Sequence, residues 1–233
     1  MSKYNPWPIG RPLIERPEPE IIREYGYEWE DPRDIIDIFE KKVAKFAGSN
    51  YAVAVDCCSY AIFLSLRYLK EKESHLFSGT IYIPAQTYIS VPQQIRYAGW
   101  EVELDETEWE GIYQLYPTHI FDAALRWTKG MYIPDSLMCL SFQMKKRIPI
   151  GRGGMILCDH AIEYDWLKLA SYDGRDLNTP YDSKGHVKMA GWHYYMTPED
   201  AARGIILMDR VPEVNEDQGG WENYPDISWL QHK

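Results

Sequence analysis

Residues 51–66 read YAVAVDCCSYAIFLSL, and this stretch decides the predicted fold. Its first five residues form a continuous apolar run with the length and composition of a buried strand. A short turn of small residues follows, and residues 59–70 then repeat apolar side chains at helical spacing. A strand, a tight turn and a helix N-terminus can bind an anion such as phosphate, because the first backbone N–H groups of a helix are unpaired. The same stretch is equally typical of a tight turn that binds nothing.

The alternation of apolar strands and amphipathic helices continues on both sides of this stretch. Asp31-Pro32 predicts a helix start and Gly48 its end. We predict further strands at residues 80–83, 100–104, 119–121, 138–142 and 154–158, and further helices at residues 89–97 and 161–171. Continuously apolar strands are typical of a sheet that helices cover on both faces. The predicted fold class is therefore α/β, a three-layer α/β/α sandwich around a mostly parallel sheet.

The predicted organisation is one α/β domain with a short segment at each end. Residues 1–30 are rich in proline, which disfavours long regular elements, and we predict an extended N-terminal arm there. Its aromatic residues favour packing against the domain or a partner chain over a free tail. Residues 31–211 form the domain, and residues 212–233 form a short polar C-terminal tail.

Composition excludes several classes of protein. The 233 residues carry 25 basic and 35 acidic side chains, a net charge of −10, whereas nucleic-acid binders are usually basic. An aromatic content of 14% is too high for a disordered chain. No apolar run is long enough to cross a bilayer, and the N-terminus resembles no secretory signal. We therefore expect a cytoplasmic protein with neither nucleic-acid nor membrane partners. The cysteine and histidine spacings predict no metal site.

Three residues that follow predicted strands could take part in chemistry, and each has an ordinary alternative. Tyr88 could stack on a flat ligand, or it could be a core aromatic. Asp122 directly follows an apolar strand, where a carboxylate needs a cationic partner such as a ring nitrogen or an internal Arg or Lys. The third is a lysine, Lys145 or Lys146, between a strand and a glycine-rich turn. It could be a desolvated, nucleophilic amine or part of an exposed basic turn.

The same residues lie within a series of motifs that occur in a fixed order. The motifs are residues 39–48, 51–55 with Cys58-Ser59, 83–88, 97–99, 122–124, Ser141-Phe142 with Lys146 five residues beyond the serine, 151–155, 173–176, 191–196 and 200–204. Together they resemble the pyridoxal-phosphate-dependent sugar aminotransferases of the DegT/StrS family, within the fold-type-I aminotransferase superfamily.

The resemblance implies an activity and partners. It implies a homodimeric enzyme that binds pyridoxal 5'-phosphate and transfers an amino group, usually from glutamate, to a nucleotide-linked keto-sugar. A sugar dehydratase is an alternative, although the family's dehydratases usually carry histidine in place of the lysine. A non-enzymatic, regulatory descendant of the fold is another alternative, because fold does not fix function.

The resemblance also implies a role for each site residue. Lys146 would form the aldimine with the cofactor aldehyde, and Asp122 would keep the pyridinium nitrogen protonated. Tyr88 would stack on the cofactor ring. The phosphate would be held by the backbone amides of Cys58 and Ser59 and by the hydroxyls of Ser59 and Ser141. His193 would reach the cofactor phosphate of the neighbouring subunit.

The sequence departs from the family pattern at several of these positions. Cys58-Ser59 replaces Gly-Thr in the phosphate turn, and Leu125 replaces a polar residue that touches the cofactor. His193 replaces an asparagine, and Arg152 replaces a glutamate. The family's C-terminal small domain has no counterpart in these 233 residues. The lysine and the aspartate are both present, so the sequence supports cofactor binding more strongly than turnover of a sugar substrate.

Overall fold

Strands and helices alternate in the computed structural model, which describes residues 17–75, 77, 79–179 and 183–230. The helices are α1 (Pro17–Glu24), α2 (Arg33–Ala47), α3 (Cys58–Lys72), α4 (Ser90–Tyr97), α5 (Ala161–Ser171) and α6 (Pro198–Met208). The strands are β1 (Tyr51–Val55), β2 (Thr80–Pro84), β3 (Glu101–Asp105), β4 (Tyr113–Gln114), β5 (Ile120–Asp122), β6 (Leu137–Ser141) and β7 (Gly154–Cys158). Two short 3-10 helices, Trp221–Asn223 and Ser228–Leu230, follow near the C-terminus.

The sheet is mixed in its pairing, although most strands run in one direction. Five strands pair in the order β1-β7-β6-β5-β4, and β2 pairs with β3. An antiparallel bridge between Tyr82 and Tyr116 connects the two groups. Strands β5 and β6 pair in parallel, and so do β2 and β3. Strand β7 pairs antiparallel with both β1 and β6, and β4 pairs antiparallel with β5. Strands β1, β2, β3, β5 and β6 therefore share a direction that β4 and β7 oppose.

The predicted α/β sandwich is confirmed. The prediction of a mostly parallel sheet holds for the direction of most strands, but neighbouring strands pair in both orientations. Strand β7 is antiparallel to β6 because a turn-rich connection at residues 142–153 joins them without a crossover helix. The short strand β4, which the sequence analysis missed, opposes β5 for the same reason, since only a tight loop separates them.

Successive residues of the strands supply apolar side chains to two separate cores. On β1, Val53 and Val55 lie in the core formed with α3, α4 and α5, and Ala52 and Ala54 lie in the core formed with α1, α2 and α6. The sheet is thus buried on both faces, which explains why its strands are apolar without alternation. The first core also contains Ile62, Leu66, Ile95 and Leu167, and the second contains Ile22, Phe39 and Ile205.

The ends of α2 follow from local chemistry. The Asp31 carboxylate accepts a hydrogen bond of 2.9 Å from the backbone N–H of Arg33, the first residue of the helix. At the other end Gly48 adopts a φ of +91°, the left-handed conformation that glycine takes without strain. Both signals were visible in the sequence.

The N-terminal arm requires a correction. Residues 1–16 lie outside the described residues, but Pro17–Glu24 forms helix α1, where the sequence analysis predicted extended chain. Proline is tolerated in the first turn of a helix, so Pro17 and Pro19 do not prevent the helix. Ile22 is fully buried, and its burial in the second core fixes the helix against the domain. Within the described residues no helix combines the length and apolarity needed to span a bilayer.

A buried ion pair joins α2, β1 and α5. Glu40 is only 3% exposed, accepts a hydrogen bond of 2.8 Å from the Ala54 backbone N–H and pairs with Lys168 at 2.8 Å. We expect Glu40→Ala to lower the free energy of unfolding by about 3 kcal/mol, because it leaves the Ala54 N–H without its acceptor and, among the described residues, Lys168 with only the longer ion-pair contact to Asp37 at 3.4 Å. Denaturant titration would measure this.

An exposed ion pair provides the control for that variant. Glu213 pairs with Lys129 at 2.8 Å on the surface. Glu213→Ala is expected to change the free energy of unfolding by less than about 1 kcal/mol, because solvent screens the pair. Equal losses in the two variants would contradict the assignment of Glu40 to a buried network.

Candidate active site

The carboxyl ends of several strands meet at one cavity of about 730 Å³. Six of the seven predicted site residues line it, namely Cys58, Ser59, Tyr88, Asp122, Ser141 and Lys146. They come from segments up to 88 residues apart, and the common direction of β1, β2, β5 and β6 brings these segments to the same edge of the sheet. The structure therefore brings together most of the residues that were selected because they follow predicted strands.

Asp122 is the acidic group of the cavity. It ends β5, is 6% exposed and accepts hydrogen bonds from the Ala124 backbone N–H at 2.9 Å and the Tyr113 hydroxyl at 3.1 Å. Burial raises the pKa of Asp122, while the bonds from Ala124 and Tyr113 and the charge of Lys146 act in the opposite direction. A carboxylate in this position favours a cationic partner, because its own two hydrogen bonds replace only part of its hydration.

Lys146 is the basic group that interacts with that carboxylate. It follows β6 in a turn closed by a hydrogen bond of 2.8 Å from its backbone N–H to the Gln143 carbonyl. Burial lowers the pKa of Lys146, and the charge of Asp122 partly opposes that shift, whereas the charge of Lys145 adds to it. A lysine amine whose pKa is lowered is neutral, and hence nucleophilic, over a wider pH range.

The turn between β1 and α3 forms another wall of the cavity. Helix α3 begins at Cys58, and within the described part of the chain its N-cap residue, Cys57, makes no side-chain capping hydrogen bond to the first N–H groups. Burial raises the pKa of the Cys58 thiol, which therefore stays protonated. The Oγ atoms of Ser59 and Ser90 share a hydrogen bond of 2.7 Å. Helix N-termini of this kind bind anions through backbone N–H groups and the helix dipole.

Gly154 allows the hairpin between β6 and β7 to pack directly on that turn. A Cβ at residue 154 would lie 2.4 Å from the Cys57 carbonyl carbon and 2.5 Å from the Cys58 nitrogen. We expect Gly154→Ala to displace the turn and to lower the free energy of unfolding by more than about 2 kcal/mol, because backbone atoms cannot yield as a side chain does. Thermal and denaturant unfolding would measure this.

A second glycine variant controls for the added methyl group. At Gly185 a Cβ would meet nothing within 4 Å, although φ is +93°. Gly185→Ala is therefore expected to cost about 1 kcal/mol, from backbone strain alone. A cost for Gly154→Ala no larger than this would show that the turn is not packed against the hairpin.

Several residues that line the cavity, or that hold Asp122 from behind it, had no role assigned from the sequence. Thr87 and Tyr113 form a chain of hydrogen bonds to Asp122: since Tyr113 donates its only proton to Asp122, Thr87 donates to the Tyr113 oxygen across 2.6 Å. Tyr113 lies on the two-residue strand β4, which has no periodic signal. Trp109 lines the cavity too, and so do three residues of the C-terminal segment, namely Gln218, Asn223 and Tyr224. No local pattern distinguishes them.

Tyr88 and His193 differ in where they lie. Tyr88 faces the cavity and is 58% exposed, so it is not the core aromatic of the alternative interpretation. His193 lies outside the cavity lining, with its side chain 67% exposed, and its Nδ1 is 2.9 Å from an Asp173 carboxylate oxygen. The contact of His193 with a neighbouring subunit stays a prediction.

A group of potential metal ligands lies away from the cavity. Glu73, His119 and Glu163 present atoms within 4.8 Å of one another. His119 and Glu73 stand 3.5 Å apart, with side chains 30% and 18% exposed. The facing atoms, Glu73 Oε2 and His119 Nε2, are themselves buried and make no hydrogen bond among the described residues, so this is a close carboxylate–imidazole contact between the end of α3 and the residue before β5. The sequence does not reveal this group, because its three residues are far apart in the chain.

Part of the sequence matches the profile of a known protein family. The profile described as the DegT/DnrJ/EryC1/StrS aminotransferase family matches residues 28–131. No curated protein matches the sequence significantly.

Solved structures share the fold over most of the chain. AtS13 from Actinomadura melliaura superposes with a TM-score of 0.68 at 16% identity, covering 83% of this chain and 64% of its own. The sugar aminotransferase CalS13 from Micromonospora echinospora gives 0.65 at 13%, with coverages of 83% and 64%. 3-Amino-5-hydroxybenzoic acid synthase gives 0.65 at 20%, with 89% and 64%.

The chain thus spans about 64% of the length of these structures. The matched residues include the turn between β1 and α3, Tyr88 and Asp122, which all line the cavity. The chain thus shares its fold with these aminotransferase and synthase structures, and its residues 28–131 match the profile of the DegT/DnrJ/EryC1/StrS aminotransferase family.

Proposed function

We propose that the chain binds pyridoxal 5'-phosphate in this cavity and transfers an amino group from glutamate to a nucleotide-linked keto-sugar. One observation carries the proposal: the Lys146 amine and the Asp122 carboxylate line the same cavity, and each affects the pKa of the other. These are the two groups that the family resemblance assigns to opposite ends of the cofactor ring.

The residues present fit such a cofactor. Among the described lining residues, Asp122 is the one carboxylate, whereas Lys145, Lys146 and Arg152 are cations. This lining is cationic although the whole chain carries a net charge of −10. The uncapped N-terminus of α3 adds backbone N–H groups that suit a phosphate. Arg152 also pairs with Asp56 at 2.6 Å, which places its guanidinium beside the same turn.

Each of these residues then has a defined task. Pyridoxal phosphate supplies an aldehyde and an electron-withdrawing ring that stabilises negative charge on a substrate carbon. Asp122, held by Tyr113 and Ala124, would keep a ring nitrogen protonated through a charge-assisted hydrogen bond. Tyr88 would pack its ring against the cofactor. The N-terminus of α3 with Ser59 and Ser141 would hold the phosphate.

Lys146 carries the remaining chemistry. Its lowered pKa makes the neutral amine available as a nucleophile and as an acceptor of a proton from the substrate carbon. The family resemblance assigns Asp122 to the ring nitrogen, at the other end of the cofactor ring from the substrate carbon. The lysine therefore holds and moves the proton at Nζ, and the carboxylate fixes the charge of the ring.

The lysine also favours amino transfer over sugar dehydration. The structures that share this fold include GDP-4-keto-6-deoxymannose-3-dehydratase, ColD, with a TM-score of 0.63 at 15% identity. By the family resemblance, dehydratases usually carry histidine at the position of Lys146. CalS13, which is named a sugar aminotransferase, supports a sugar as the amino acceptor. A homodimer in which His193 reaches the neighbouring phosphate belongs to the same proposal.

Titration with pyridoxal phosphate tests the proposal. Purified protein is expected to develop a visible absorption band, and borohydride reduction followed by peptide mass spectrometry should locate the attached cofactor on Lys146. Incubation with glutamate should then discharge the band and release 2-oxoglutarate. A protein that develops no band, or that is labelled on surface lysines alone, would overturn the proposal.

A further inference from the structure

The C-terminal segment, residues 215–230, lies across the carboxyl ends of three strands. Ile227 donates its backbone N–H to the Ala85 carbonyl after β2 at 3.0 Å. Gln218 donates its backbone N–H to the Leu125 carbonyl after β5 at 2.9 Å, and its side-chain amide to the Lys145 carbonyl after β6 at 3.1 Å. The segment is thus attached to each of the loops that carry Tyr88, Asp122 and Lys146.

Further contacts fix the C-terminal segment in place. Arg126 pairs with Asp217 at 2.6 Å, and Arg147 donates a hydrogen bond of 2.9 Å to the Glu216 carbonyl. Gly219 accepts a hydrogen bond of 3.0 Å from the Gly111 backbone N–H. These bonds are spread along the segment, so that its backbone forms a continuous wall rather than a free tail.

Tyr224 is the aromatic side chain that this wall presents to the cavity. Its backbone carbonyl accepts a hydrogen bond of 3.2 Å from the Gln86 side chain, and its ring packs at 5.7 Å from the Trp109 ring. Burial, followed by the negative charge of Asp122, raises the pKa of Tyr224 to about 12. The phenol is therefore a protonated donor in the same cavity as Asp122, and its hydroxyl has no hydrogen-bond partner among the residues described.

We infer that the C-terminal segment is a wall of the ligand site and that Tyr224 contacts the bound cofactor. The inference rests on the proposed function, and it adds a residue from outside the matched residues 28–131. Leu125 lines the cavity without a polar group, whereas the Tyr224 hydroxyl offers one in the same cavity. Aromatic contact and a hydrogen bond from the phenol would both strengthen binding.

Hydroxyl-radical footprinting of the unmodified chain tests the contact, with and without pyridoxal phosphate. Oxidation of Tyr224 is expected to fall when the cofactor is bound, whereas oxidation of Tyr97, which is 73% exposed and outside the cavity lining, should not change. An equal rate of Tyr224 oxidation in both samples would overturn the inference, whatever any variant shows.

Variants measure the size of the contribution. Tyr224→Ala is expected to raise the Kd for pyridoxal phosphate about tenfold, as loss of one aromatic contact does. Trp229→Ala, in the same segment but outside the lining, should change it less than about twofold. If the unmodified chain binds no cofactor, the proposed function fails. If it binds and Tyr224→Ala binds equally well, only this inference fails.

Discussion

Lys146→Ala is expected to abolish amino transfer, with the rate falling by about ten-thousandfold. Burial lowers the pKa of this amine despite the opposing charge of Asp122, which suits it to nucleophilic and proton-transfer work. The variant should still bind pyridoxal phosphate through the α3 N-terminus and Asp122, but without the visible band. Stopped-time assays of 2-oxoglutarate formation and absorption spectra would measure the two effects.

Lys145→Ala is the matched control for that variant. Lys145 is adjacent in the chain and also lines the cavity, so a general loss of positive charge would affect both variants alike. We expect Lys145→Ala to retain the visible band and the borohydride labelling of residue 146. Loss of the band in Lys145→Ala, with retention in Lys146→Ala, would transfer the assignment to the neighbouring lysine.

Asp122→Asn is expected to weaken binding of pyridoxal phosphate by about a hundredfold or more. Asparagine keeps the shape of the side chain but removes the charge that pairs with a cationic ring nitrogen, and a buried charge pair is costly to break. Equilibrium dialysis would give the affinity. An affinity equal to that of the unmodified chain would exclude a charge pair between Asp122 and the cofactor.

Although Asp122→Asn is expected to weaken cofactor binding, we expect it to increase the stability of the cofactor-free protein at neutral pH. Burial raises the pKa of Asp122 above the ordinary value of 3.8, so the folded state binds its proton more tightly than the unfolded state does. Such a group contributes stability at low pH, and that contribution is lost as pH rises from 3.8 to the raised folded pKa. Asparagine does not titrate and has no such loss.

Denaturant titration at two pH values would check that sign. Relative to the unmodified chain, Asp122→Asn is expected to gain stability at pH 7 compared with pH 4, both measured without cofactor. A relative loss at pH 7 would mean that the hydrogen bonds from Tyr113 and Ala124 outweigh burial. Asp122 would then lower the stability of the cofactor-free protein while it strengthens ligand binding, which is typical of residues in binding sites.

Much of the site could be predicted because its signals are local. The strand at Tyr51–Val55 and the turn before α3 are written in consecutive residues. Asp122 and Lys146 each follow an apolar strand, and strands with a common direction end at one edge of a sheet. The sequence could therefore place both groups near one cavity before any coordinates were known.

Contacts between distant segments could not be predicted in this way. Tyr113 reaches Asp122 from a strand of two residues, and Tyr224 reaches the cavity from a segment that reads as a polar tail. The pair Glu40–Lys168 joins residues 128 positions apart. The helical state of Pro17–Glu24 depends on the burial of Ile22, which overrides the proline-rich composition.

The sequence by itself determined the α/β layers, the strand-end positions of Tyr88, Asp122 and Lys146, and the resemblance that the family profile matches over residues 28–131. Hydrophobic period and turn chemistry act over neighbouring residues, and a sequence displays them directly. Only the tertiary structure decided the antiparallel β7, the hydrogen bonds that hold Asp122 and the place of the C-terminal segment. Those depend on which side chains meet after the chain has closed long loops, and no local pattern encodes that outcome.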